Sequence, residues 1–112
     1  MPELPEVETV RNFLNNNIIK EYIISVEIKD RNLRFDISSK IPKVLYKTMI
    51  KKIVRKGKYL IFFHSNNYAL VLHLGMTGFF RIETFYNYRK HDHIIFSFKD
   101  KKLVFNDVRK FG

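Results

Sequence analysis

The apolar period changes once along this chain, and the change limits what it can fold into. Val7, Val10, Leu14 and Ile18 recur at the spacing of one helical face, and Pro5, Glu6 and Glu8 suit the positive end of that helix. The asparagines 15 to 17 mark its end. Beyond them the period is two. Ile24, Val26 and Ile28 alternate with Ser25, Glu27 and Lys29, and Leu33, Phe35 and Ile37 alternate with Arg34 and Asp36, as in strands with one buried face. Ser38 and Ser39 ahead of Pro42 predict a second short helix carrying Val44, Leu45 and Met49. Lys58 to His64 and Tyr68 to Leu74 read as a hairpin around Ser65, Asn66 and Asn67, and His93 to Phe98 joins Lys102 to Asn106 through KDKK. The fold expected is mainly β within the α+β class: an antiparallel β-sandwich flanked by an N-terminal helix and a second short helix.

At 112 residues the chain has room for one domain, residues 1–112, and one modest core. Its longest apolar run, Tyr59 to Phe63, falls far short of the roughly 20 residues a membrane helix needs. The N-terminus lacks a basic segment followed by an apolar core, so the expectation is a cytoplasmic, non-membrane protein without a secretory signal. The absence of cysteine fits a reducing compartment and excludes disulfides and thiolate metal sites within these residues. Against 11 acidic residues stand 21 Lys and Arg, a net charge of +10 that points to a polyanion such as nucleic acid. A/T-rich codons are a competing source of the same excess, since Lys, Asn, Ile, Phe and Tyr are all abundant.

The first three residues allow a particular chemistry. Initiator methionine is commonly removed before a small second residue, and Pro2 then carries the terminal amine. An α-amine titrates near about 7.7–8.0 against about 10.4 for lysine, so a useful fraction is neutral near pH 7. Its attack on an aldehydic carbon gives an iminium whose retained charge is an electron sink for later elimination, with Glu3 beside it as proton donor or acceptor. The plainer alternative is that Pro2 and the acids merely start a helix.

MPELPEVETV, followed in order by RKGKYLIF, LHLGMTG, KHDH and DVRKFG, resembles the N-terminal domain of the formamidopyrimidine-DNA glycosylases across the whole chain. That resemblance implies a bifunctional base-excision glycosylase and abasic-site lyase acting on oxidised purines such as 8-oxoguanine and formamidopyrimidines in double-stranded DNA. It implies Pro2 as nucleophile at the anomeric carbon, Glu3 as the acid assisting ring opening, and Lys58 near the lesion's phosphate. Glu6 is a possible pocket residue, with a helix-start acid as the simpler reading. Met76, Arg109 and Phe111 would fill the gap left by a flipped nucleotide, Arg109 also contacting the orphaned base. His91 and His73 would contact DNA backbone, a satisfied core histidine being the rival reading for His73.

His91 and His93, at strand spacing, would share one face with Asp92 opposite; with no third ligand, no metal is expected. Family members continue into a helix-two-turn-helix domain and a zinc finger, so a monomer completed by a C-terminal domain is expected, with no cofactor in this chain. Where the family motif has proline and a second arginine, this chain has Val108 and Lys110. Leu4 favours the purine branch over the endonuclease-VIII-like branch for oxidised pyrimidines. A non-catalytic basic nucleic-acid-binding β-domain is the alternative from another class.

Overall fold

A computed structural model describes residues 4–29, 40–74 and 78–107. Helix α1 (Leu4–Ile18) is followed by β1 (Ser25–Ile28), helix α2 (Ile41–Leu45), β2 (Ile50–Lys56), β3 (Tyr59–His64), β4 (Ala69–His73), β5 (Phe79–Glu83), β6 (Asp92–Ser97) and β7 (Lys102–Asn106). All strand pairs are antiparallel. They form a four-stranded sheet ordered β1-β6-β7-β5 and a three-stranded sheet ordered β2-β3-β4. The core lies between the sheets, where Phe62 of β3 meets Phe80 of β5 with ring centroids 6.1 Å apart, and Phe80 leans on Phe105 of β7 at 5.2 Å.

The apolar stripe read from the sequence is the one α1 buries: Val7, Leu14 and Ile18 are fully enclosed and Val10 packs at the margin. The last turn of α1 has no basic residue of its own. Lys101, ahead of β7, supplies the charge by donating from Nζ to Asn17 O at 2.6 Å, where the helix presents unpaired carbonyls. Glu8 meets Arg55 near the start of α1, and Lys20 N donates to Ile50 O at 2.8 Å beyond its end. The helix therefore runs opposite to β2, and its beginning lies level with the β2–β3 turn.

Three expectations are corrected. The second helix stops at Leu45 and excludes Met49, which forms an antiparallel bridge with Tyr22. Its exit is fixed by Thr48, which donates from Oγ1 to Leu45 O at 2.7 Å, while Lys47 N donates to Ile23 O and Ile23 N to Thr48 O, each at 2.8 Å. Ile24 does not join Val26 on a buried face, because it precedes the strand and is half exposed. Strands β2 and β5 are additions to the expected set. A register shift between Ile50 and Lys52 spaces the buried residues Ile50 and Ile53 three apart, which erases the period of two. Among the described residues, strand β5 pairs only with β7 and is nowhere fully buried, so it carries no alternation to read. The strand expected at Leu33 to Ile37 and the helix start at Ser38 and Ser39 lie outside the described residues. No helix among the described residues is long and apolar enough to cross a membrane.

Candidate active site

Lys56 pairs with Tyr59, so Gly57 and Lys58 alone make the turn between β2 and β3. Gly57 has φ 61°. No heavy atom lies within 4 Å of a Cβ built there, so the turn requires glycine for its left-handed backbone and not for space. The turn presents Lys58, half-buried, at the end of the sheet where α1 begins. Directly across from Tyr59 on β4 stands His73, whose ring meets the tyrosine edge-on at 4.8 Å. It is half-buried at the strand end, so the core reading does not hold for it.

One residue beyond His73, Leu74 O accepts from Gly78 N at 2.9 Å, which holds together the two ends of the segment containing Met76. A Cβ on Gly78 would stand 2.4 Å from Leu74 O and 3.0 Å from the Phe105 ring, so only glycine allows this closure. Phe79 then pairs with Asn106, which brings the start of β5 beside the end of β7, where the chain leads on toward Arg109 and Phe111.

The expectation that His91 and His93 share a strand face is overturned. His91 precedes β6 with φ 72°, and the register shifts between Asp92 and Ile94. This bulge breaks the alternation, so that Asp92 and His93 are both buried. His93 Nε2 donates to Asp107 O at 2.7 Å, while Asp107 N donates to His91 O at 3.2 Å. Asp92 accepts both Arg81 Nη groups at 2.7 and 2.8 Å, Tyr86 OH at 2.8 Å, Arg89 N at 2.9 Å and Asn106 Nδ2 at 2.9 Å. Burial alone would raise the Asp92 carboxyl, yet these donors, Arg81 foremost, hold it well below the usual carboxylate range. The buried carboxylate thus ties β5, β6, β7 and the backbone before His91 into one unit.

Lys58, His73 and His91 therefore sit at one end of the sandwich, together with the start of α1, the ends of the segment holding Met76 and the exit from β7. Pro2, Glu3, Met76, Arg109 and Phe111 lie outside the described residues, as does the Glu6 side chain. No group of three or more His, Cys, Asp or Glu side chains suited to a metal occurs among the described residues. Sequence reasoning missed Arg81, Tyr86, Asp92 and Asn106 as a network, because its members lie 6 to 14 positions from Asp92 and meet only through sheet register. It also missed Arg55 as a bonded residue, because its partner Glu8 is 47 positions away.

The sequence and the fold both have known relatives. The profile described as Formamidopyrimidine-DNA glycosylase N-terminal domain matches residues 1–112. The formamidopyrimidine-DNA glycosylase of Rickettsia felis is 45% identical over all of this chain, which covers 41% of that protein. The Lactococcus lactis Fpg in complex with DNA containing an abasic site superposes with a TM-score of 0.91 at 40% identity, over 98% of this chain and 42% of that one. The same enzyme with DNA containing FAPY-dG gives a TM-score of 0.90 at 40% identity, over 97% of this chain and 42% of the other. The chain thus spans about two fifths of the length of the relatives it matches.

Proposed function

As a member of the formamidopyrimidine-DNA glycosylase N-terminal domain family, the chain is, we propose, the catalytic part of a base-excision enzyme that removes oxidised purines from duplex DNA and then cuts the abasic strand. The observation that carries this reading is convergence: the start of α1, Lys58, His73, His91, the ends of the segment holding Met76 and the exit toward Arg109 share one end of the fold. Independent motifs far apart in sequence are brought to one place, as a site acting on a single nucleotide requires.

In this reading the Pro2 nitrogen attacks the anomeric carbon of the damaged nucleotide. The glycosidic bond breaks, the base leaves with its electron pair, and Glu3 supplies a proton that opens the sugar ring. The resulting iminium draws electrons from the neighbouring carbon, and β- then δ-elimination expels the flanking phosphates. Lys58 and His73 supply cationic or hydrogen-bonding groups for the phosphates around the lesion, and His91 contacts the backbone. Met76, Arg109 and Phe111 occupy the vacancy in the stack and face the orphaned base, in place of the few kcal/mol of lost stacking. The oxidised-purine preference is supported by Leu4 and by the FAPY-dG carried in the DNA of the Lactococcus lactis complex. The enzyme would act as a monomer on DNA in a bacterial cytoplasm, and a C-terminal half with a zinc finger would clamp the duplex from the other side.

Excision and strand cutting on duplexes with 8-oxoguanine, FAPY-dG, an oxidised pyrimidine or no lesion test the proposal, with the C-terminal part of a relative added in trans. Wild-type chain is expected to prefer the purine lesions, and Lys58→Met to lose roughly 10²-fold in rate. Equal processing of the pyrimidine lesion, or a silent Lys58→Met, would count against the assignment.

A further inference from the structure

We propose that Arg55 is a positioning residue that fixes the start of α1 against the turn carrying Lys58. The inference rests on the reading above, in which Pro2 and Lys58 act on one nucleotide. Arg55 donates from Nε to Glu8 Oε2 at 2.9 Å and from Nη1 to Gly57 O at 3.1 Å. One planar guanidinium therefore spans two elements, bonding the first turns of the helix along one edge and the turn backbone along another. Lysine, a point donor on a flexible stem, cannot hold both. Gly57 immediately precedes Lys58, and Glu8 lies one helical turn after Leu4, so few rotatable bonds separate this contact from either side of the site.

The Glu8 carboxylate is itself pinned, Oε2 by Arg55 and Oε1 by Arg11. Both guanidiniums, Arg55 first, hold its carboxyl below the usual range. No acidic residue occurs between Asp36 and Glu83, so the strands from β2 to β4 bring no carboxylate of their own and Arg55 takes its partner from the helix. The Arg55 and Glu8 side chains are 31% and 34% exposed. A pair so open to water contributes little to stability. Its consequence is geometric: it sets the separation between the helix that leads from Pro2 and the turn that holds Lys58, and a misplacement of about 1 Å at a reacting centre can cost about 10²-fold in rate.

The test is single-turnover borohydride trapping on an abasic-site duplex at saturating protein, using the full chain and the variants Arg55→Met, Glu8→Ala, both together, and Glu8→Gln. Arg55→Met and Glu8→Ala are each expected to slow trapping by roughly 10- to 100-fold. The double variant is expected to be no slower than the slower single one, because both remove the same contact. Glu8→Gln keeps an oxygen to accept from Nε and stays close to wild type. Thermal unfolding and the slope of log affinity against log salt concentration stay unchanged. Multiplicative slowing in the double variant overturns the proposal. So does a salt slope reduced by about one unit in Arg55→Met with Glu8→Ala silent, the signature of a phosphate contact. Wild-type trapping matched by Arg55→Met removes the positioning role alone, whereas failure of the wild type to trap removes the underlying reading and this inference with it.

Discussion

His64, at the far end of β3 from Lys58, is buried, and its ring has a single polar contact among the described residues, Nδ1 to Thr48 Oγ1 at 3.1 Å. The Thr48 hydroxyl has one proton and donates it to Leu45 O at 2.7 Å, so its oxygen accepts from His64 and the Nδ1 tautomer is assigned. Nε2 is then a bare lone pair with no partner among the described residues. Protonating it would place a charge in the core, and burial lowers the pKa to about 4 from 6.5. The unfolded chain therefore binds this proton more readily than the folded one. The stability involved is fully present above about pH 6.5 and is lost progressively as pH falls toward 4, by about 3 kcal/mol in all. Urea midpoints between pH 7.5 and 4.5 are expected to fall much further for wild type than for His64→Phe; parallel curves would contradict the assignment. The sequence placed His64 at a strand end, but its neutrality follows from burial and its tautomer from Thr48, whose hydroxyl direction no pattern of residues discloses. Lys58 differs, because Gly57 beside it already marks a tight turn and only the turn's companions had to come from the fold.

Elements show the same division. Helix α1 was legible because its buried residues keep the helical spacing throughout, whereas β2 was hidden by its bulge and β5 by its open edge. The Asp92 cluster was hidden for a related reason: the bulge at His93 turns two successive residues inward where strand alternation turns only one. The joint between β4 and β5 is the element most exposed to a single change. Gly78→Ala would drive a Cβ to 2.4 Å from Leu74 O and against Phe105. Because backbone and a packed ring both have to shift, the expected cost is about 1–3 kcal/mol. In a domain of this size that lowers Tm by at least about 4 °C, measurable by calorimetry. An unchanged Tm would mean that the closure at Leu74 relaxes freely.

At the scale of the whole molecule, two antiparallel sheets and one long helix gather six segments at one end, and the register bonds that gather them also build the core. Such convergence cannot be read from composition or period, which supply the sandwich but not which of its ends is used. The motif order points to one end through resemblance, and the described elements from α1 to β7 bring Lys58, His73 and His91 to that end. The account requires that the nucleophile at this end be the Pro2 amine rather than any of the abundant lysines. The direct measurement is mass spectrometry of the borohydride-reduced adduct with an abasic-site duplex, digested and mapped to the residue. The account predicts the sugar remnant on the N-terminal peptide at Pro2, and none there when a residue added ahead of Pro2 blocks the amine. A remnant on Lys58 or another lysine, undiminished by that block, would contradict it.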